Sequence, residues 1–296
     1  MKQLITFLAA AIICSTATAQ TDSTKKSKDT IRIGNIVIVK TGKNSGDKNR
    51  GISMHTDTKP KKKSNISTNW WIVDLGFSNY DDKTNYATAG SYLVNRPGNP
   101  VLGKDDFKLR SGKSINVNIW FFMQKLNLAK HYVNLKYGLG LELNNYRYKS
   151  LANISYKEGG VVPYSGGLQT SAPFIFRDSL NQGANGFSKN KLAADYLTIP
   201  LMLNFNSNPN REKRGLSISA GVSAGYLYSQ RNKQRSAERG KHRNKGDYDL
   251  ERFKLSYVGE IGLGSIRFYG SYSPKSIYEH SLDMRPYTVG IRFSNW

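Results

Sequence analysis

Cysteine is almost absent. The single one, Cys14, lies inside the first twenty residues, so the rest of the chain has no disulfide, no thiol nucleophile and no cysteine-ligated zinc or iron–sulfur site. Long apolar runs are missing as well. After residue 20 nothing approaches the roughly 18 consecutive apolar residues that a spanning helix needs. Acidic residues are scarce, 21 against 44 Lys and Arg, which leaves a net charge of +23. There is no His-Glu-x-x-His motif, and Gly42-Lys43-Asn44-Ser45-Gly46 lacks the spacing and the ending of a phosphate loop. The four histidines, His55, His131, His242 and His280, are scattered and read as solvated side chains. No nucleic-acid recognition module accompanies the positive charge.

What the chain does have is glycine and tyrosine, 27 and 18 residues. Disordered chains are poor in aromatics, so this mix points to many strands joined by polar loops. The amino terminus carries Met1-Lys2, an apolar core from Leu4 to Ile13, and the small residues Ala17-Thr18-Ala19, the pattern of a secretory signal peptide over residues 1–19. Ile13 before Cys14 is not the small residue that lipoprotein processing requires. Residues 20–68 hold 12 Lys and Arg against four Asp and are rich in Ser, Thr, Asn and Gly, which predicts a flexible, basic periplasmic arm. Within it, residues 31–39 form one run of high β-propensity, read as a short local strand, with a docking strand for a partner as the alternative.

From residue 69 a period of two dominates. The clearest stretch is 132–144, where Val133, Leu135, Tyr137, Leu139, Leu141 and Leu143 share one face, and Lys136, Gly138, Gly140 and Glu142 lie on the other. The same alternation places Trp71, Val73, Leu75 and Phe77 opposite Asp74, and Ile115, Val117, Ile119, Phe121 and Met123 opposite Asn116 and Asn118. Five further segments, near 196–206, 215–228, 254–261, 266–272 and 287–294, repeat it. That makes eight strands of the length a tilted strand needs to cross a bilayer, about 9–11 residues. The connections alternate long and short without exception, as outer loops and periplasmic turns do. The expected fold is all-β, an eight-stranded antiparallel up-and-down transmembrane β-barrel over 69–296, located in the cell outer membrane. Trp70, Trp71, Tyr132, Tyr228 and Tyr287 suit its interfacial girdles.

The signal peptide, the Gly- and Tyr-rich meander and the closing stretch from Pro286 to Trp296 together resemble the PorT-like outer-membrane β-barrel family, within the wider set of small eight-stranded barrels. The resemblance rests on architecture and implies fold and location, with no catalytic motif. Trp296 lies off the parity of Ile291 and Phe293, whereas a terminal assembly signal keeps its apolar positions in phase.

Three sets of residues follow as candidate sites. Asp74, Lys136, Glu142, Lys254, Glu260, Arg267 and Arg292 are expected inside the barrel, paired as a polar plug, because a narrow barrel has room only for side chains. Val133 to Leu143 at alternate positions are expected to face lipid. Arg231, Lys233, Arg235, Arg239, Lys241, Arg243 and Lys245 form a basic outer loop whose counter-charges are outer-membrane lipid and the phosphates of lipopolysaccharide. A second basic cluster, Lys59-Pro60-Lys61-Lys62-Lys63, would meet a cell-wall or periplasmic partner. The function read from this is structural or binding, in the cell envelope. A small-solute channel is the runner-up and a lipid A-modifying enzyme the third choice, for which Glu279-His280-Ser281 is the only local candidate. The chain reads as a non-enzyme that needs no cofactor or metal.

Overall fold

The computed structural model describes residues 30–33, 36–40, 52–56, 64–149, 154–178, 186–209, 215–264 and 266–294. The expected signal peptide, the Lys59–Lys63 cluster and Trp296 lie outside these residues. The chain separates into two units, 1–63 and 64–296. In the first, β1 (Thr30–Ile33), β2 (Ile36–Lys40) and β3 (Ile52–Thr56) pair antiparallel in sequence order. The run expected as one strand is therefore a hairpin, with Ile33 opposite Ile36. Each half has β-propensity of its own, and Gly34-Asn35 between them are turn-forming residue types.

In the second unit, β4 (Ile66–Asp82) is followed by β5 (Leu93–Val94), the single-turn helix α1 (Lys104–Phe107), β6 (Ile115–Ala129) and β7 (Val133–Arg147). Four short strands come next: β8 (Ile154–Lys157), β9 (Gly160–Val161), β10 (Gln169–Thr170) and β11 (Phe174–Arg177). Then follow β12 (Phe187–Asn206), β13 (Leu216–Ser236), β14 (Gly240–Lys245), β15 (Phe253–Leu263), β16 (Ile266–Tyr272) and β17 (Met284–Phe293). The long strands β4, β6, β7, β12, β13, β15, β16 and β17 each pair antiparallel with the next, and β17 returns to β4, which closes a ring of eight. The ring starts at Ile66, three residues before the position expected from alternation.

Alternation builds the wall. Along β7 every second residue from Asn134 to Tyr146 is buried while Val133, Leu135, Tyr137, Leu139, Leu141, Leu143 stay partly exposed on the outside. The outward side of the ring is apolar, with Leu75, Ile199, Leu201, Phe205, Ile261, Phe268 and Val289 all exposed. In β6 and β4, irregularities shift the facing. In β6, Trp120 opposes Gly140 but Phe122 opposes Leu139, so Phe121 is an extra residue. A bulge of this kind reverses parity beyond it. Met123, expected outward, is accordingly fully buried. In β4, Trp71 has a left-handed backbone (φ 57°), and both Trp70 and Trp71 end up outside.

The long connections are not simple loops. The one expected over 229–251 folds as a hairpin, β13 running on to Ser236 and β14 pairing back onto it. β5, β11 and β8 form a three-stranded sheet from two other connections. These segments enclose an apolar cluster that includes Tyr92, Leu102, Phe107, Tyr156, Ile175, Tyr248, Ile277 and Tyr278, packed on Tyr146, Leu192 and Tyr196 from the ring. One end of the ring thus carries a folded cap. Local alternation could not reveal it, because a cap core is assembled from residues of four separate connections.

Candidate functional site

Inside the ring, all seven charged residues assigned inward by alternation are buried: Asp74, Lys136, Glu142, Lys254, Glu260, Arg267 and Arg292. They form two groups. Glu260 is the hub of the first, accepting from Lys136 at 2.6 Å, from Arg267 at 3.1 Å and from Arg292. Arg292 also donates two bonds to Asp74, Nε to Oδ1 and a terminal nitrogen to Oδ2, both at 2.7 Å. In the second group Lys254 pairs with Glu142, which also accepts from Asn144 at 3.0 Å. Asparagines connect the two: Asn144 accepts from Asn116 (2.9 Å), Asn116 donates to Asn118 (2.9 Å), and Asn118 donates to Asp74 (3.1 Å). Pairing offsets the desolvation that each charge would otherwise suffer in a dry lumen.

Two aromatic residues complete the filling, and alternation alone does not single them out. Trp120 donates its indole N–H to Asp74 at 2.7 Å, and Tyr269 donates to Asn116. Both rings lie against glycine wall positions. A Cβ at Gly140 would meet the Trp120 ring at 2.7 Å, and one at Gly290 would meet Tyr269 at 2.6 Å. The space left beside Trp120, Glu142, Thr198, Met202, Tyr269 and Arg292 is about 30 Å³, room for a water or two.

The cap holds a different kind of site. Between the inward face of the β13–β14 hairpin and the β8–β11 pair lies a cleft of about 430 Å³. Its polar lining includes Glu158, Gln234, His242 and Asn244, and its floor includes Tyr156 and Tyr248. Asp178 at its edge accepts from Arg239 and from Ser155, each at 3.0 Å. Below it the hydroxyls of Tyr148, Tyr156 and Tyr278 form a buried chain, and burial pushes the Tyr148 phenol up to about 12. Nothing in the local sequence distinguishes these tyrosines from ordinary loop aromatics.

The basic segment is split by the hairpin. Arg231, Lys233 and Arg235 lie on β13, and Lys241, Arg243 and Lys245 on β14; Arg239 lies in the turn between them. Arg231 pairs with Asp195 and Arg239 with Asp178 (3.0 Å). His242, expected in a loop, is in β14. In the last long connection His280 faces Asp249, with Nδ1 2.7 Å from Oδ1, and that carboxylate raises the imidazole above its usual range. Glu279 joins them, with donor atoms of all three within 4.8 Å of one another. Among the described residues no hydrogen bond joins His280 to Ser281, the neighbour considered as a nucleophile.

Comparison with known proteins places this architecture. Among solved structures, the chain is similar to Ail, the attachment invasion locus protein of Yersinia pestis, at 10% identity and a TM-score of 0.28, covering 78% of this chain and 100% of Ail. A second structure of that protein, in complex with the heparin analogue sucrose octasulfate, matches at 9% identity and a TM-score of 0.27, covering 76% and 98% of the two chains. No curated protein matches by sequence. The family model for the outer membrane protein beta-barrel domain matches residues 71–276, more than half of the 296 residues. The chain therefore belongs to the outer membrane protein beta-barrel domain family, and its place is the outer membrane.

Proposed function

We propose that the eight-strand ring crosses the outer membrane as a closed, non-conducting barrel, and that the protein serves the envelope by binding through its folded cap. The observation that carries this reading is the lumen. Seven buried charges, linked by asparagines, Trp120 and Tyr269, occupy the space a solute would use. The cap core lies over one end of the same ring through Tyr146, Leu192 and Tyr196. In this reading the long connections face the exterior and the short turns face the periplasm, together with the basic amino-terminal arm. The outer cleft beside Tyr156 and Tyr248 is then the site available to a soluble ligand, its mix of aromatic floor and charged rim suiting a polar molecule.

Planar-bilayer recording of the purified full chain tests the proposal. No resolved unitary conductance is expected. Stable ion-selective channels whose selectivity changes in Glu142→Gln would replace the binding reading by the channel reading.

A further inference from the structure

Beyond the apolar belt, the outer ends of β7, β12, β13 and β14 form one four-stranded sheet. Register puts Arg147 opposite Lys191, Lys191 opposite Lys233, and Lys233 opposite Arg243, one cation on each of four adjacent strands. On one side of this row Lys189 stands opposite Arg235 and Arg235 opposite Lys241; on the other, Arg231 stands opposite Lys245. All nine are at least partly exposed, whereas the alternate residues Asn190, Leu192, Asn232 and Gln234 are buried toward the cap. Cross-strand partners sit about 5 Å apart at Cβ, and like charges there destabilise a sheet. Among the described residues only Arg231 of the nine has a carboxylate partner, Asp195.

A register shift makes this face. Tyr196 opposes Leu227 but Asp195 opposes Ser229, so Tyr228 is an extra residue in β13. Before it the outward residues of this wall are apolar, Ile218, Val222, Tyr226 and Tyr228 on β13 and Leu197 and Ile199 on β12. After it they are Arg231, Lys233 and Arg235. Had β13 kept strict alternation through Tyr228, Asn232 and Gln234 would face out and the cations would point into the cap. At about 3.3 Å per residue and with the usual tilt, the row lies roughly 7–15 Å beyond the last apolar side chains, the depth of headgroup phosphates.

We propose that this cationic face binds the phosphate groups of the outer-leaflet glycolipid, with Arg147, Lys191, Lys233 and Arg243 bridging phosphates of neighbouring lipid molecules. The inference rests on the reading that the long connections face the exterior. Phosphates inserted between the rows supply the counter-charge that the protein itself leaves out, and they tie the cap to the membrane beside it.

The test uses the full chain, folded in detergent and titrated with bis-phosphorylated lipid A and with dephosphorylated lipid A, alongside the Lys191→Gln/Lys233→Gln/Arg243→Gln variant. A cation near an anionic lipid surface contributes about a fivefold gain in binding, so three removed together should weaken phosphorylated lipid A binding by on the order of a hundredfold. The same variant should unfold no more easily than the parent, because it relieves like-charge repulsion. A control with Lys83, Lys104 and Lys275 changed to Gln, three exposed cations away from this sheet, should bind as the parent does. Unchanged binding in the row variant, or equal binding of dephosphorylated lipid A, overturns the site. A tag inserted at Glu238 separates this from failure of the orientation. If intact cells hide the tag, the exterior reading fails and the site with it; if they expose it and binding is unchanged, the site alone fails.

Discussion

Arg292 on β17, the last strand of the ring, stands directly opposite Asp74 on β4, its first, and its guanidinium grips both carboxylate oxygens at 2.7 Å. The pair straddles the seam where the ring closes, so the two ends of the domain are joined by a two-pronged ionic contact as well as by the backbone ladder. Its bidentate geometry suits Arg and would be lost with Lys. The same guanidinium reaches on to Glu260, which links the seam to Lys136 on β7 and to Arg267 on β16.

Glu260 is consequently the acid whose loss should matter most. Glu260→Gln leaves three buried cations around a neutral group, and breaking a buried network in this way costs about 3–5 kcal/mol. Glu142→Gln leaves one cation, Lys254, and should cost less. Urea unfolding of the refolded barrel in micelles checks the order; equal losses for the two variants would contradict it.

On the outer wall, Leu139 lies midway along β7 and faces away from the lumen. Leu139→Arg should destabilise the barrel by roughly 2–4 kcal/mol, the cost of a cation near the bilayer midplane. Leu139→Ala serves as the reference in lipid vesicles. A matched cost for the two substitutions would mean that Leu139 does not meet hydrocarbon.

In the cap, Tyr156 sits between Tyr148 and Tyr278 in the hydroxyl chain. Tyr156→Phe strands buried polar groups on both sides and should cost about 1–3 kcal/mol. Because burial raises all three phenols, and holds Tyr148 near 12, they should stay protonated through ordinary alkaline titration. Ultraviolet absorbance of tyrosinate follows this. Early ionisation of the three while the fold is intact would show that the cap core is wet.

His280 provides a pH test outside the membrane. Asp249 raises its imidazole pKa through a hydrogen bond and through charge. A raised folded-state value means that the contact's stabilisation is fully present below the ordinary histidine pKa and fades as pH rises through the folded one. Proton NMR should therefore find His280 titrating above an unperturbed histidine, and Asp249→Asn should return it to the ordinary range. An unshifted resonance in the parent protein would show that the contact does not form in solution.

Much of this molecule could be read from local pattern. Eight alternating segments mark eight strands, because side-chain direction in a strand is fixed by position along the chain and needs no knowledge of the neighbours. Burial of Lys136 and exposure of Leu135 follow from the same rule. It fails at Met123, since Phe121 adds a residue to one strand of a pair, and an extra residue is visible only against its partner.

By itself, then, the sequence determined the number of strands in the ring, the alternation of long and short connections and seven of the inward charges, all of which are local properties of the chain. Only the tertiary structure decided that Arg292 meets Asp74, that Tyr228 turns Lys233 outward, and that tyrosines from separate connections share one core. These depend on register and on contacts between residues as far as 218 positions apart. Such contacts need the closed ring, where pairing and burial together decide which partners each buried charge meets.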